Sequence, residues 1–566
     1  MPHLFIVILL LALLSSPALA QQRIDPSRGV DPRVDYAEMT RLGPWDDRNY
    51  QLTTADLALL ADNEQELRIP IPVFYRVLLR RTYPDMPRTG EPQYPRSALN
   101  YFMQRYGGYL IDGQLYGDVT LTEAGRYEVL EQEGSAPQDL PQLHLAPLLG
   151  NVLVNPTGGA AESSVSISPV NPDIVVVGVN GSGQDMYWSN DGGNTWTEST
   201  PLFGSTCCDP AMAWSSDGTL AYAVALGGND VWFYRSDDNG QTWTDLEDDT
   251  PGDPRRELAG PSAAALDDKE FIHVDNNPAS PFQDRIYITW HQNNVMQFAM
   301  SSDNGNTFST ISFGSEPVGI GSDIATDRNG VVYHFWPATG AREIRMNRST
   351  DGGVSFQPST LVAPTNARFD FPLPSIEVRN AFVYVAADID NTGGAFDGRI
   401  YTAWTDTIAP DNNADPQANH ARIVVGVSAD GGGTWDTRIP HPTADELDVD
   451  RWHPWLRVGP DGTVHVVFYD TRNFPDRSGV DFFYTYSTDG ADTFVEPIRI
   501  TDESSPNASG GFEFGDYNGL DVSSDGGIAI FSDNRGEDGG GPSIDVYVAP
   551  AIILPETILI DGFEGI

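Results

Sequence analysis

A chain of 566 residues is longer than one ordinary domain, so we expect either two units or one large repeat architecture. Hydrophobic residues make up 40% and aromatic residues 10%, enough for a sizeable core, which excludes global disorder. The formal net charge of −47 excludes nucleic acid and anionic membrane surfaces as partners, because such a field repels phosphates. An anionic substrate would require a locally basic pocket.

The N-terminus has the pattern of a secretory signal peptide. An apolar run from Leu4 to Leu14 precedes the small residues Ala18 and Ala20, so we predict a signal peptide over residues 1–20 that is cleaved near Ala20. No later apolar run is long enough to span a bilayer. The sequence therefore predicts a soluble protein that is secreted or periplasmic.

Residues 21–133 are predicted to form a small helical N-terminal domain. The segment "TTADLALLADNEQEL" begins with a threonine that can cap a helix, and Leu57, Leu60 and Ala61 fall on one helical face. The segments "VFYRVLLRR" and "SALNYFMQRYGGYL" continue this pattern. A linker rich in Pro, Gln and Leu follows over residues 134–150.

Beyond residue 150 the helical period disappears and one octet recurs. "SNDGGNTW" is followed by "SDDNGQTW", "SSDNGNTF", "STDGGVSF", "SADGGGTW" and "STDGADTF". The aspartates shared by these octets are Asp191, Asp238, Asp303, Asp351, Asp430 and Asp489. Such self-similarity indicates an array of supersecondary units, and β-rich units of this size are typical of propeller blades.

Each octet follows a hairpin and a third strand, so each repeat is predicted to be a four-stranded blade. Hairpins with "SDG", "PDG" or "RNG" turns begin near residues 165, 211, 271, 323, 375, 455 and 519. The last hairpin leads to a third strand at 544–550 with no fourth, whereas 151–155 is a strand ahead of the first hairpin. Pairing the two would close the ring without an open edge. We predict seven blades over residues 151–550, with six as the alternative, and a C-terminal tail at 551–566.

The octets resemble the Asp-box, S-x-D-x-G-x-T-W, which is the BNR repeat of the sialidase-like propeller superfamily. The residue types of the octet also suit a tight turn, because a short Asp side chain can accept backbone N–H bonds within it and Gly supplies positive φ. The Trp or Phe would pack between blades. The sixth octet departs from the pattern with Ala491 in place of Gly. A calcium-binding array is the alternative, but one Asp per blade is too widely spaced to share an ion, so we predict a structural role.

Function is expected on the face opposite the octets. Strands alternate in direction, so the octets share a face with the turns between first and second strands, and the longer loops lie on the other face. There Asp470/Arg472 and Asp533/Arg535 occupy equivalent blade positions, with Arg451 on a neighbouring connection. Three converging arginines could clamp a carboxylate. The alternative is an inter-blade ion pair between each Asp and a nearby Arg.

The resemblance implies an exo-α-sialidase-like glycoside hydrolase that acts on terminal acidic sugars of a glycan or cell-surface polysaccharide. Sialidases use an arginine triad, a tyrosine nucleophile activated by a glutamate, and an aspartate acid/base. On that pattern Tyr517 in "FGDYNG" would be the nucleophile, Glu513 its partner, and Asp450 or Asp516 the acid/base. Trp452 and His453, next to Arg451, are predicted to join the substrate site.

Two features depart from the sialidase pattern, and two other functions therefore stay open. The family's R-I-P signature should open the first blade, whereas "LRIP" lies at 67–70. Sialidase catalytic domains also have six blades. The alternatives are a non-catalytic propeller that binds a glycan or protein, and a polysaccharide lyase with a Tyr/His pair that would draw on His291, His420 or His453.

Two further motifs each allow more than one interpretation. Cys207 and Cys208 are the only cysteines and could form a vicinal disulfide in an oxidising compartment, with free thiols or pairing between chains as alternatives. The loop "DIDNTGGAFDGR" over 388–399 has Arg399 where an EF-hand needs a bidentate Glu, so an EF-hand is excluded and a looser calcium site is the alternative. No cofactor is otherwise required.

Overall fold

The fold was analysed in a computed structural model. The described residues are 109–111, 114–116, 119–121, 127–129, 151–155, 159–181, 184–200, 208–227, 230–243, 256–258, 267–376, 379–474, 476–506, 513–524, 526–535 and 544–552. The predicted signal peptide, the linker and most of the tail lie outside them, as do the helices expected over 53–110 except for their last two residues, which lie in a strand. Within this part of the chain no helix is long and apolar enough to cross a membrane.

The described stretches of residues 21–133 are strands and give no support to a small helical domain. They are β1 (Tyr109–Ile111), β2 (Gln114–Tyr116), β3 (Val119–Leu121) and β4 (Tyr127–Val129). Strands β1 and β2 form one antiparallel pair, and β3 and β4 form another.

Residues Leu149–Ile552 form a compact unit, which is a seven-bladed β-propeller. It begins with β5 (Val152–Leu153). Blade 1 is β6 (Ala161–Ile167), β7 (Val175–Asn180), β8 (Gln184–Ser189) and β9 (Thr197–Glu198); blade 2 is β10 (Cys208–Trp214), β11 (Ala221–Gly227), β12 (Asp230–Ser236) and β13 (Arg256–Leu258). Blade 3 is β14 (Asp267–Val274), β15 (Ile286–Gln292), β16 (Val295–Ser301) and β17 (Ser309–Ser312); blade 4 is β18 (Asp323–Thr326), β19 (Val332–Ala338), β20 (Glu343–Ser349) and β21 (Thr360–Pro364).

The remaining blades follow an additional hairpin of β22 (Asp370–Phe371) and β23 (Ala381–Phe382). Blade 5 is β24 (Val385–Ile389), β25 (Ile400–Thr407), β26 (Ala421–Ser428) and β27 (Asp436–Arg438), with a short 3-10 helix at Pro416–Ala418. Blade 6 is β28 (Arg451–Val458), β29 (Val464–Asp470), β30 (Gly479–Ser487) and β31 (Ile498–Arg499), and β32 (Ser505–Pro506) also pairs with β30. Blade 7 is β33 (Gly519–Ser523), β34 (Gly526–Asp533) and β35 (Asp545–Ile552), completed by β5.

The ring closes by pairing the two ends of the propeller chain, as the sequence predicts. Val548 lies opposite Val152 in the β35–β5 register, and the N–H of Val154 donates to the carbonyl of Val546 at 2.9 Å. The Asn155 side chain accepts the N–H of Val546 at 2.7 Å. Closure leaves blade 7 with four strands and confirms seven blades.

Neighbouring blades cover both faces of each middle strand, which explains their nearly continuous apolar sequences. β11 ("AYAVALG") and β29 ("VHVVFYD") are buried at every position. Burial on both faces favours unbroken apolar runs over the polar alternation of a half-exposed strand. The core of the propeller therefore lies between blades.

Each octet carboxylate is bound by donors of its own turn. In the first octet the Ser189 hydroxyl and the Thr195 N–H donate to Asp191 Oδ1 at 2.7 and 2.9 Å, and the Thr195 hydroxyl donates to Oδ2 at 2.7 Å. The N–H of Gly193 donates to Ser189 Oγ at 2.9 Å. The same four bonds recur in the other five octets. These bonds brace the turn between third and fourth strands.

The octet aromatic residue packs onto the preceding blade. The ring centroid of Phe308 lies 5.0 Å from that of Phe233, and the centroid of Phe356 lies 4.8 Å from that of Phe298. The octet glycines permit this approach. A Cβ on Gly305, at φ +82°, would lie 2.2 Å from Phe233 Cε1.

Replacing Gly305 by alanine is therefore expected to lower the free energy of unfolding by about 2–4 kcal/mol. The left-handed backbone costs a non-glycine residue about 1–2 kcal/mol, and overpacking against Phe233 adds about 1–3 kcal/mol. Gly193→Ala is the matched control, because φ is +84° there but the added Cβ would lie 3.3 Å from Trp196. Urea denaturation of both variants measures the difference. Equal losses would mean that the contact with Phe233 contributes nothing.

The additional hairpin corrects one predicted boundary. The inner strand of blade 5 begins at Val385, not near residue 375, because residues 365–384 form a segment that we call the insert hairpin. Its first residues are tied to blade 5, since Asp406 Oδ1 accepts the N–H groups of Asn366 and Ala367 at 2.8 Å each. The insert hairpin therefore lies on the face opposite the octets.

Candidate functional site at the channel mouth

Backbone strain concentrates where four inner strands begin. Strands β6, β10, β14 and β28 each contain a register shift close to their first residues. Each shift accompanies a non-glycine residue at positive φ: Glu162 at 49°, Asp209 at 56°, Lys269 at 52° and His453 at 47°. Such conformations cost about 1–2 kcal/mol each and cluster at functional sites. The strained residues lie at the end of the channel opposite the octets, where the longer loops predict function.

Glu162 and Asp209 form a buried, hydrogen-bonded carboxyl pair. Their exposed fractions are 3% and 8%, and the Asn180 amide donates to Glu162 Oε2 at 2.5 Å. Burial first, and then the charges of Asp209 and Asp516, raise the pKa of Glu162 well above its ordinary value. Burial likewise raises the pKa of Asp209 to about 6 against the attraction of Lys269. Two such carboxyls can retain a shared proton near neutral pH.

Lys269 places a cation between these carboxyls and an aromatic layer. Its Nζ is buried, has no hydrogen-bond partner among the described residues, and lies 3.2 Å from the ring centroid of Tyr517 and 3.8 Å from that of Phe271. Burial lowers the pKa of Lys269, while the carboxylates, Asp209 foremost, oppose that effect. The ammonium group therefore depends on the acidic residues around it.

The insert hairpin supplies a second cation, Arg379. Its Nη2 forms an ion pair with Asp516 and lies 3.5 Å from Glu162 Oε1. Its backbone N–H donates to Glu513 Oε2 at 3.2 Å, so the buried Glu513 holds the hairpin. We call Glu162, Asp209, Lys269, Arg379, Asp516 and Tyr517 the mouth cluster. Two of the residues singled out by sequence, Asp516 and Tyr517, thus belong to one cluster, with Glu513 at its edge.

The surroundings of Tyr517 oppose formation of a phenolate. Its hydroxyl is buried and makes no hydrogen bond to any described residue. Burial first, and then the nearby carboxylates of Asp209 and Glu162, raise the pKa of Tyr517 well above its ordinary value. A tyrosine nucleophile needs the opposite environment, one that stabilises the negative oxygen. Its predicted role as nucleophile stays a prediction without support from this geometry.

Arg451 and Arg472 are bound by carboxylates of the protein. Arg451 Nε lies 2.6 Å from Asp470 Oδ2 and its Nη2 lies 2.7 Å from Asp445. Arg472 Nη2 lies 2.7 Å from the same Asp470 oxygen, and its Nη1 lies 3.0 Å from Glu496. Asp470 accordingly bridges the two guanidinium groups. These ion pairs lie within blade 6 and the connection that precedes it, since Arg451 stands opposite Asp470 in the β28–β29 register, and they occupy the guanidinium groups that were expected to clamp a substrate.

Arg535 is bound in the same way, but at the ring closure. Its Nη2 lies 2.6 Å from Asp533 Oδ2 and donates to Asn151 Oδ1 at 2.8 Å, while Nη1 pairs with Asp502. Asn151 directly precedes β5, and Asp502 follows the outer strand of blade 6. Arg535 therefore joins blades 6 and 7 to the N-terminal strand and does not share partners with Arg451 or Arg472.

The other predicted site residues fall into separate environments. Asp450 is buried beside Arg477 Nε at 3.1 Å and His420 Nδ1 at 3.3 Å. Trp452 is a core residue, with its ring centroid 5.5 Å from that of Tyr469. His453 is one of the strained residues, and burial, followed by the charge of Arg379, lowers its pKa to about 3, so the imidazole is neutral.

The cysteine and calcium predictions stay predictions. Cys208 is disulfide-bonded, but Cys207 lies outside the described residues. In the loop 388–399 the Asp390 carboxylate accepts the N–H of Thr392 at 2.9 Å, and Asp397 accepts that of Gly393 at 2.8 Å. Among the described residues no group of three or more His, Cys, Asp or Glu side chains is arranged to hold a metal ion.

A second cluster of acids lies deeper in the channel and has a structural explanation. The Phe271 and Trp455 rings meet across the channel at 5.2 Å, and towards the octet face lies a cavity of about 520 Å³. Asp323, Asp388 and Asp521 line this cavity. They accept backbone N–H groups of the neighbouring blade from Ala387, Val458 and Ile167, at 2.8, 2.8 and 2.7 Å respectively. These carboxylates link inner strands, so the mouth cluster is the stronger candidate for function.

Sequence reasoning missed Glu162, Asp209, Lys269 and Arg379. A signal for the first three was present, because each stands immediately ahead of the apolar inner strand of a predicted hairpin, as in "LDDKEFIHV". Charged residues at that position are unexpected in a strand that lines a packed channel. No comparable pattern in the sequence marked Arg379, because the hairpin that contains it was assigned to blade 5.

The free energy of unfolding is expected to depend on pH because the pKa of Asp209 is raised in the folded protein. The unfolded carboxyl titrates near pH 4 and the folded one at about 6, so wild-type stability falls as pH rises through that window. A difference of about 2 in pKa corresponds to about 3 kcal/mol. Asp209→Asn removes this ionisation, so relative to wild type it should be nearly neutral at pH 4 and about 2–3 kcal/mol more stable at pH 7.5.

Urea denaturation at the two pH values measures this effect. The exposed Asp436→Asn is the control and should change stability at neither pH. A variant at Asp209 that is less stable than wild type at pH 7.5 would show that the carboxylate is stabilised, not penalised, by its site.

A model of a domain of unknown function, DUF8300, matches residues 35–120. No curated protein matches the chain.

Solved structures similar to the propeller include several carbohydrate-active proteins. The NanB sialidase of Streptococcus pneumoniae is 11% identical, with a TM-score of 0.37, and the match covers 56% of this chain and 66% of that one. The intramolecular trans-sialidase of Ruminococcus gnavus is 12% identical, with a TM-score of 0.37, over 55% of this chain and 89% of that one. A polysaccharide lyase, a PL25 ulvan lyase, is 11% identical, with a TM-score of 0.36, over 59% and 78%. At this level the similarity concerns the fold alone.

Proposed function

We propose that this chain is a glycoside hydrolase that cleaves neutral glycans at the channel mouth. The observation that carries the proposal is the buried Glu162–Asp209 pair, which sits on strained backbone and in which burial raises the pKa of both carboxyls. Glycoside hydrolysis needs one carboxyl that is protonated and a second that is ionised. The fold is one that sialidases and a polysaccharide lyase also use, which is consistent with the proposal but does not carry it.

The mouth cluster offers a group for each step. The Glu162–Asp209 pair donates its proton to the glycosidic oxygen as the C–O bond breaks. Asp516, held by Arg379, then accepts a proton from the water whose oxygen joins the anomeric carbon. Lys269 limits the repulsion among the carboxylates. The reaction consumes one water and requires no cofactor.

The charge of the site favours a neutral sugar over an acidic one. Within the mouth cluster, three carboxyls face two cations, and Arg379 is already paired with Asp516. The three arginines that a sialidase would use are each bound by aspartates elsewhere. A substrate carboxylate would therefore meet repulsion without a clamp to offset it.

Hydrolysis of a panel of fluorogenic glycosides tests the proposal. The panel contains the 4-methylumbelliferyl derivatives of four neutral sugars: glucoside, galactoside, mannoside and N-acetylglucosaminide. The corresponding sialoside is included as the acidic substrate. We expect turnover of at least one neutral glycoside and its loss in Glu162→Gln. Turnover of the sialoside alone would restore the acidic-sugar hypothesis, and no turnover with glycan binding retained would favour a non-catalytic propeller.

A further inference from the structure

Three aromatic side chains of the insert hairpin form a continuous surface beside the mouth cluster. Phe369, Phe382 and Tyr384 are partly exposed, and their ring centroids lie 5.4–5.6 Å apart. Phe382 and Tyr384 are stacked with an interplanar angle of 14°. They stand two residues apart on extended backbone, which places them on one face. We call these three residues the aromatic platform.

The platform is fixed in place by blade 4. Gly321, at φ +71°, lies against the Tyr384 ring so closely that an added Cβ would be 1.7 Å from Cδ1. The absence of a side chain at Gly321 thus lets the ring lie flat on the backbone. A rigid aromatic surface loses little conformational entropy when a ligand stacks on it.

The platform is continuous with the mouth cluster. The Tyr384 ring centroid lies 6.5 Å from that of Tyr517 and 5.6 Å from Lys269 Nζ. The same hairpin carries Arg379, which pairs with Asp516. A ligand that spans both features would therefore place one unit on the aromatic rings and the next unit against the carboxyl pair.

We propose that the aromatic platform is a subsite that stacks a neutral pyranose ring adjacent to the bond cleaved in the mouth cluster. This inference rests on the proposed function. A pyranose has an apolar face of C–H groups that suits an aromatic surface and a hydroxyl rim that suits the polar mouth beside it. The continuity between rings and carboxyls favours this occupant over a protein, whose apolar contact would have to extend across charged residues.

Calorimetric titration of the Glu162→Gln protein with cellohexaose, mannohexaose and chitohexaose tests the subsite. We expect at least one hexasaccharide to bind, and Phe382→Ala in the same background to weaken that binding about tenfold, as loss of an aromatic stacking contact implies. Phe396→Ala is the matched control, because Phe396 is also partly exposed but packs against Arg399 at the far side of blade 5. It should leave the dissociation constant unchanged.

The outcomes separate the subsite from the reaction. Equal affinity of the Phe382→Ala protein and its parent, or binding of none of the three probes, overturns the subsite. Weakened binding without hydrolysis of any neutral glycoside by wild type supports the subsite and overturns the proposed reaction. Wild-type hydrolysis with an unchanged affinity in Phe382→Ala supports the reaction and overturns the subsite.

Discussion

Replacing Arg535 by alanine is expected to lower the free energy of unfolding by about 3–5 kcal/mol. The guanidinium group is 8% exposed and contacts Asp533, Asp502 and Asn151, which belong to three different segments of the ring closure. Its removal leaves the buried Asp533 carboxylate unpaired, and breaking one partner of a buried ion pair costs that amount. It also loosens β5, whose pairing completes blade 7.

Urea denaturation of Arg535→Ala measures this loss. The control is Arg438→Ala, because the ion pairs of Arg438 are long, 3.9 Å to Asp436 and 3.8 Å to Asp492, and its hydrogen bond of 3.0 Å goes to the exposed carbonyl of the adjacent Thr437. Exposed pairs of that kind contribute about 0–1 kcal/mol. If Arg535→Ala cost no more than Arg438→Ala and instead abolished turnover, the substrate clamp predicted from sequence would be the better explanation of this arginine.

Replacing Glu162 by glutamine is expected to reduce turnover of the responsive glycoside about 100- to 10,000-fold. Glutamine preserves the shape of the side chain and can still meet Asn180, but it cannot hold or transfer the shared proton. General acid catalysis contributes about that factor. The pH profile of wild type should be bell-shaped, because the carboxyl pair must be singly protonated to act.

Steady-state kinetics from pH 4 to 9 would measure both effects. Glu343→Gln is the matched control, since Glu343 forms a partly exposed ion pair with Arg345 at 2.8 Å, away from the channel. The Glu343→Gln protein should keep the turnover rate and the pH profile of wild type. Turnover of Glu162→Gln within about twofold of wild type, in protein that retains its thermal midpoint, would remove Glu162 from the mechanism.

The propeller was predictable from sequence because its signals are local and repeated. The octet binds its own backbone through residues four apart, so the same turn forms wherever the sequence recurs. The seventh blade followed from counting strands: a third strand at 544–550 lacked a fourth, and 151–155 lacked a partner. The start of blade 5 was misplaced because only two residues separate β23 (Ala381–Phe382) from β24 (Val385–Ile389) within one apolar stretch of sequence.

The candidate site was only partly predictable. Tyr517, Asp516 and Glu513 were found on a resemblance, and the structure places them at or beside the mouth cluster. The three arginines were chosen for a correct chemical reason, but aspartates of the protein already bind them. Asp470 and Asp533 stand two residues before Arg472 and Arg535 in the sequence, whereas Asp470 meets Arg451 only through the β28–β29 pairing. Glu162 and Asp209 are far apart from Asp516 in the chain, and nothing local links them.

The sequence by itself predicted the propeller, a count of seven blades with six as the alternative, and the face on which function should be sought. Those properties follow from apolar strand patterns and from turns whose donors and acceptors lie within eight residues. The tertiary structure alone decided which charged side chains meet. Closing seven blades brings the first residues of distant inner strands to one channel mouth, where burial raises the pKa of Glu162 and Asp209.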